Sequence, residues 1–384
     1  MEPPVVHTLP EEERELLDVV RAYVAREVAP RAAEAEAEHR FPRERFDELA
    51  RMDLTGLAFP EDVGGAGLSY RTYLLVLEEL ARGHATLALA VSVSSLAAYA
   101  LEAFGTEDQR QSLARPVVEG RHLGAYCLSE PHAGSDAASL SCRAERDGDV
   151  YRLTGTKAWV THGGVADRYV VFARTGGDGP KGISAFAVDP DQPGLEVHAP
   201  EQKMGLTGSP TAMLGFDDAP VPADRLIGGE EGIGFGIAMS ALDGGRLGIS
   251  AVATGVGQAA LDTALGYARE REQFGRPIVD FQGVSFLLAD MATQLEAART
   301  LYKDAASRRD AGYEVSKVCS MAKLFCTDTA MRVTTDAVQV LGGVGYTRDF
   351  PVERYLREAK VMQIFEGTNQ IQRLVIGRHL QRGT

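Results

Sequence analysis

The stretch IFEGTNQIQR, residues 364–373, puts one acid at the end of an apolar run and follows it with a glycine. Periodicity predicts a helix over 351–365 and another over 368–380, so Glu366 falls in the last turn of the first. There, after Ile364 and Phe365, desolvation and the negative end of the helix dipole both disfavour an ionised carboxylate. The expected result is a raised pKa, which makes Glu366 a stronger base than an exposed glutamate once a substrate docks beside it. Gly367 ends the helix without a side chain to block that approach, and Thr368 and Asn369 can cap the next helix. An exposed glutamate at a helix end is the plainer reading of the same residues.

Other segments carry chemistry in the same conditional way. AYCLSEPHAGSDAASL (125–140) reads as a short strand and a loop rich in hydroxyl and N–H donors, suited to a phosphate or a carbonyl-rich ring, or simply a β-turn. TGTKAWVTHGG (154–164) holds the only tryptophan, Trp159, two residues from Thr161. In a strand the two share a face and offer an indole and a hydroxyl together, with a core tryptophan as the alternative. REQFGRPIVDFQ (271–282) sets Arg271, Phe274 and Gln282 around a corner between long helices, where a cation beside an aromatic ring suits a pyrophosphate and a flat base. A solvated helix end explains the same corner. QVLGGVGY (339–346), with Gln339 and Gly343, is a helix C-terminus whose glycines let backbone approach a ligand, or a C-cap alone.

ALDGGRLG (241–248) puts Gly244 and Gly245 inside a helix at a cost of about 1 kcal/mol each relative to alanine. A ligand or a neighbouring helix must need the room. Asp243 and Arg246 share a face three residues apart and form either a surface pair or part of a site. Gly255, Gly257 and Ala260 satisfy GxGxxA, yet they sit within a helical pattern and not after a strand, so they read as helix-packing glycines and not as a dinucleotide fingerprint.

The elements that must position these residues fall into three textures. Residues 1–121 read as helices: Thr8 N-caps the first, Pro10 suits its first turn, and the run that follows stops at Pro30. Further runs cover about 43–52, 70–82, 86–103 and 107–119. Residues 122–232 are short β-rich pieces between Gly, Pro and Asp turns, predicting an antiparallel sheet or barrel and not a doubly wound one. From 233 to 384 the helical period returns in runs 233–271, 281–311, 314–341 and 351–365, as an antiparallel bundle requires.

Bulk properties exclude several classes. The 384 residues suffice for two or three cores, and 45% hydrophobic with 24% charged residues is ordinary for a globular protein. No apolar run is read as approaching the ~20 residues of a membrane span. The acidic N-terminus lacks the features of a secretory or transit leader. Cys127, Cys142, Cys319 and Cys326 follow no zinc spacing and read as buried thiols of a reducing, cytoplasmic setting, with no metal expected. A formal net charge of −14 argues against nucleic acid as a partner.

Taken together and in this order, YCLSEPHAGSD, WVTHGG, RxxFG, QxxGG and FEGTNQIQR resemble the acyl-CoA dehydrogenase family over essentially the whole chain, closest to its short- and medium-chain branch. The resemblance implies an N-terminal helical domain, a middle β-domain, a C-terminal four-helix bundle and a homotetramer with one FAD per subunit. It implies that Tyr126, Leu128 and Ser129 contact the flavin and that Trp159 and Thr161 flank its ring. Arg271, Phe274, Gln282, Gln339 and Gly343 match the set that grips the adenosine and pyrophosphate across a subunit boundary, completed by Thr368 and Gln370. Ser135, Asp243 and Arg246 match positions that contact CoA, and Glu366 matches the base that removes the α-proton of an acyl-CoA thioester. The product is then a trans-2-enoyl-CoA, with electrons leaving to an electron-transfer flavoprotein. His162 stands where many relatives carry asparagine, and Gly245 fills the slot of the alternative base in the isovaleryl and long-chain branches. An acyl-CoA oxidase, a non-catalytic nucleic-acid-binding relative and a flavin monooxygenase, which would not need Glu366, are the other readings.

Overall fold

Apolar residues at three- and four-residue spacing fold the first third of the chain into helices: α1 (Glu11–Tyr23), α2 (Ala29–Ala37), α3 (Arg43–Arg51), α4 (Tyr70–Gly83) and α5 (Ala85–Phe104), then short α6 (Glu107–Gln109) and α7 (Arg115–Val118). The structure, a computed structural model, describes residues 10–383, so the cap expected of Thr8 lies outside the described residues. Pro10 is the N-cap of α1 and not a first-turn residue. The helix predicted to stop at Pro30 instead runs on, because a π-helical turn at Val24–Val28 places Pro30 in the first turn of α2, where its missing N–H is not needed.

Helix α5 corrects the reading of apolar runs. Its 20 residues, with a mean hydropathy of 1.7 over an 18-residue stretch, are long and apolar enough to cross a membrane, but 72% of that stretch is buried inside the fold. A helix enclosed on all sides is apolar all round for the same reason a spanning one is.

The middle region forms a seven-stranded sheet from β1 (Gly124–Cys127), β2 (Arg143–Asp147), β3 (Val150–Thr161), β4 (Arg168–Arg174), β5 (Ile183–Val188), β6 (Leu195–Val197) and β7 (Thr211–Pro222). The order is β1-β4-β2-β3-β7-β6, with β5 also on β4. The sheet is mixed and not wholly antiparallel: β1 lies parallel to β4, and β2 touches β4 in parallel at Arg143 and Arg174. The parallel start matters to the site, since it aims the loop after Cys127 across the sheet toward β3.

The chain then returns to helices: α8 (Gly234–Glu270), a small hairpin of β8 (Glu272–Gln273) and β9 (Arg276–Pro277), α9 (Gln282–Asp310), α10 (Ser316–Leu341), α11 (Val352–Met362) and α12 (Asn369–Arg382). A Cβ on Gly255 would lie 2.3 Å from the Glu78 carbonyl of α4, and one on Gly257 2.7 Å from Leu295 of α9, so these glycines do serve close helix packing. The largest apolar cluster joins α1, α4 and α5 to α8, α9, α10 and α11. A second couples α5 and α7 to β4, β5 and the start of α8, and a third fills the sheet. The N-terminal helices and the bundle therefore share one core, with the sheet packed against their seam.

Candidate active site

Helix α11 ends at Met362, so Glu366 lies beyond the helix and not in its last turn. The backbone turns left-handed at Glu366 (φ 55°) and again at Gly367 (φ 84°). For a glutamate this conformation costs energy, and such strain persists only where surrounding contacts fix it. Without a helix end the dipole argument lapses, and desolvation remains. The carboxylate Oε2 is buried with no hydrogen-bond partner. Burial pushes the Glu366 pKa up to about 7, against the opposing charges of Arg246 and then Lys323. The backbone N–H of Glu366 also has no partner among the described residues.

Gly245 makes the space for this carboxyl group. A Cβ there would stand 2.6 Å from Glu366 Oε2 and 3.0 Å from Leu96 Cδ2. At the next residue, the Arg246 guanidinium donates to Asp243, three residues back, at 2.8 Å, and Arg246 is buried, so the pair is internal and not a surface pair. Burial raises the Asp243 pKa, with Arg246 opposing it. A cavity of about 290 Å³ runs past Gly244 and Gly245 between Tyr70, Tyr73, Ser92, Leu96, Tyr99 and Arg309.

The turn is fastened from behind. Lys323 on α10, fully buried, donates from Nζ to the Gly367 carbonyl (2.8 Å) and to Asn369 Oδ1 (2.9 Å). Gln372 Nε2 donates to the carbonyls of Glu366 (3.1 Å) and Gly367 (2.9 Å). Thr368 is the N-cap of α12, accepting from Ile371 N at 3.3 Å. Asn369, read as a second cap, instead turns inward and donates to Thr327 and Asp328.

On the sheet, Ala158 N donates to the Ser129 carbonyl at 2.9 Å, which lays the loop of Leu128 and Ser129 along β3. Buried Lys157 reinforces this by donating to Glu130 (2.7 Å) and the Leu128 carbonyl (3.2 Å), while Glu130 also accepts from the N–H groups of Ser141 and Cys142. A bulge between Lys157 and Val160 puts Trp159 at φ 60° and turns its indole out, 63% exposed. Trp159 is thus not a core tryptophan. Tyr126 packs on Phe172 and donates to the Ala238 carbonyl at 3.1 Å. Thr161 is partly exposed at the strand end. His162 is buried, its Nδ1–H donating to the Gly124 carbonyl at 2.8 Å, with its pKa pushed down to about 4 by burial. It faces into the protein, away from the solvent side of Trp159.

The remaining expected contacts are scattered in one chain. Ser135 stands exposed in its loop, with no hydrogen bond to Asp243 or Arg246 among the described residues. Arg271, Phe274 and Gln282 are exposed at the hairpin corner, Gln339 and Gly343 at the end of α10, and Gln370 on α12. Phe274, 94% exposed at φ 55°, presents nearly its whole ring to solvent. Sequence reasoning missed Lys157, Glu130 and Lys323. Lys157 and Glu130 lie within singled-out motifs, where a charged residue at an inward position is the signal, whereas Lys323 lies outside them, in the middle of α10, where local periodicity marks nothing.

The chain's residues fit the FAD that the resemblance implies. A flat ring needs a flat apolar face and unfilled donors, and the structure offers an outward indole on a bulged strand, the adjoining Thr161 hydroxyl and a donor loop fixed beside it. No group of three His, Cys, Asp or Glu side chains among the described residues is placed to hold a metal.

Comparison with known proteins gives the same outline. Models of the acyl-CoA dehydrogenase N-terminal, middle and C-terminal domains match residues 10–121, 125–219 and 232–381. An acyl-CoA dehydrogenase of Bacillus subtilis is 46% identical over 368 residues, 95% of this chain and 97% of that one. The butyryl-CoA dehydrogenase of Megasphaera elsdenii superimposes with a TM-score of 0.96 at 42% identity, covering 98% of this chain and all of that one. A chain from the structural study of the electron transferring flavoprotein of Acidaminococcus fermentans also scores 0.96, at 44% identity and 98% and 100% coverage.

Proposed function

This chain belongs to the acyl-CoA dehydrogenase family, and from that premise we propose that it oxidises a short acyl-CoA thioester to the trans-2-enoyl-CoA with FAD as cofactor and Glu366 as base. The observation that carries the reading is the Glu366 carboxyl group, buried, without a partner at Oε2, and pushed up in pKa by desolvation. A carboxylate in that state gains by taking a proton, and a docked thioester supplies one from its α-carbon. The free N–H of Glu366 is a donor for the thioester carbonyl, where negative charge grows as the proton leaves.

Tyr126, Leu128, Ser129, Trp159 and Thr161 hold the flavin ring in this reading. FAD held there would supply the acceptor for the β-hydride, its electrons passing on to an electron-transfer flavoprotein. Asp243, Arg246 and Ser135 contact the CoA. The Tyr73, Leu96 and Tyr99 side chains limit the cavity past Gly245, and the likeness to a butyryl-CoA dehydrogenase supports short substrates. Arg271, Phe274, Gln282, Gln339, Gly343, Thr368 and Gln370 serve the dinucleotide end of FAD in a homotetramer, and their spread over the surface of one chain supports that assembly. Four buried thiols accord with a reducing cytoplasm.

The test is anaerobic titration with C4, C8 and C16 acyl-CoAs, following flavin bleaching in the native protein and in Glu366→Gln. Bleaching with C4 that is abolished by the substitution is expected. Bleaching at the native rate by Glu366→Gln would overturn the assignment of the base.

A further inference from the structure

Lys323 is an ionisable side chain with no exposed surface, in the middle of α10; burial brings its pKa down to about 7, with the charge of Glu366 opposing, and no carboxylate lies within ion-pair distance of it among the described residues. A buried ammonium is costly to keep, so its contacts call for a reason. Both of its hydrogen bonds go to the segment that carries Glu366: the Gly367 carbonyl and the Asn369 side chain. Asn369 passes the restraint on to Thr327 and Asp328, and Gln363, just before the turn, donates to the same Asp328 oxygen at 2.6 Å. The strained Glu366 and the left-handed Gly367 are thus clamped on both sides to one face of α10.

We propose that Lys323 is a positioning residue for the dehydrogenation: its ammonium group locks the left-handed Glu366–Gly367 turn and aims the carboxyl group into the space left by Gly245. The inference rests on Glu366 being the base. Lys323 also supplies a positive field, second to Arg246, that favours the ionised carboxylate. The groups facing Glu366 are Arg246 from α8, Lys323 from α10, Tyr73 from α4 and Tyr126 from β1. Those facing Lys323 are Glu366, Arg246 and Asp328. Without the cation the carboxyl pKa must rise, so the basic form appears at higher pH.

The experiment compares Lys323→Gln, which keeps a hydrogen-bond donor and loses the charge, Lys323→Met, which loses both, and Lys323→Arg, which keeps the charge. Each is purified as holoenzyme beside Glu366→Gln, and folding is checked by circular dichroism and bound FAD. Single-turnover reduction by butyryl-CoA is followed across pH 5–9, and crotonyl-CoA binding is followed by calorimetry over the same range. Lys323→Met is expected to slow reduction about 100-fold with nearly unchanged KM, the loss that a misplacement of about 1 Å produces. Lys323→Gln is expected to lose less and to move the rising limb of the pH profile, and the pH dependence of crotonyl-CoA binding, upward. Lys323→Arg is expected to restore the native inflection. If Lys323→Gln keeps the native inflection in both measurements, or if all three variants lose rate only in step with lost folding, the positioning role is wrong. Should Glu366→Gln itself remain active, it is the base assignment that fails.

Discussion

At the scale of the residue, the proposed chemistry turns on two groups, Gly245 and Glu366. Gly245 leaves room for the Glu366 carboxyl group, since an added methyl would fall 2.6 Å from Oε2. An alanine inside a helix normally stabilises by about 1 kcal/mol over glycine. Gly245→Ala is therefore expected to melt near the native temperature yet reduce its flavin about 10- to 100-fold more slowly, because the carboxyl group must move aside. Stopped-flow bleaching with butyryl-CoA checks this, and a native rate would show that the carboxyl group does not use that space. The charge of Glu366 makes a separate prediction. Its folded pKa, about 7, is raised above the ordinary 4.5, so its contribution to stability is full below about pH 4.5 and is lost as pH rises through 7. Glu366→Gln escapes that loss. Relative to the native protein it is expected to melt a few degrees higher at pH 8 and at the same temperature at pH 4, measured by calorimetry on the two proteins in parallel.

At the scale of the element, the loop after β1 and the bulged strand β3 form one unit because Lys157 and Glu130 join them from inside the sheet. The pair is almost wholly buried and receives further N–H bonds, so removing one partner leaves an uncompensated charge, which typically costs 3–5 kcal/mol, an order-of-magnitude figure. Lys157→Met is expected to lower urea stability by about that amount and to yield colourless protein, since Leu128, Ser129 and Trp159 lose their common frame. Equilibrium unfolding and the visible spectrum read the two effects, and a stable yellow variant would contradict this. The motifs around these residues were legible in the sequence, because loop donors, a tryptophan and a glycine break are local signals. The turn at Glu366 was placed in a helix because the apolar run continues through Phe365; the left-handed backbone is set by Lys323 and Gln372, which lie 43 and six residues away. The continuation of α1 past Pro30 was hidden likewise, as a π turn leaves no periodic mark. The buried lysines were passed over because each acts through a partner that local periodicity does not reveal.

At the scale of the whole molecule, the three textures of the sequence became three regions, but the apolar clusters do not follow them: α8 packs against α4 and α5 as well as against α9 and α10, so the N-terminal helices and the bundle that carries the segment of Glu366 share one core. What the single chain lacks is a cover for the outer residues. Phe274 at 94% exposure and Tyr346 at 88% stand near the segments assigned to the dinucleotide, and burying such a ring contributes about 1.5–3 kcal/mol. In a symmetric assembly the gain recurs in every copy, so one exposed ring can decide the oligomeric state. Phe274 meets Phe281 edge-on, with ring centres 6.0 Å apart, and is otherwise almost wholly exposed, so replacing it disturbs little within its own chain. Phe274→Asp is therefore expected to keep native circular dichroism while sedimenting as a smaller species and losing FAD on gel filtration. A variant that sediments like the native protein and stays fully yellow would show that the hairpin corner neither joins subunits nor grips the cofactor, and would confine the FAD site to the sheet side of a single chain.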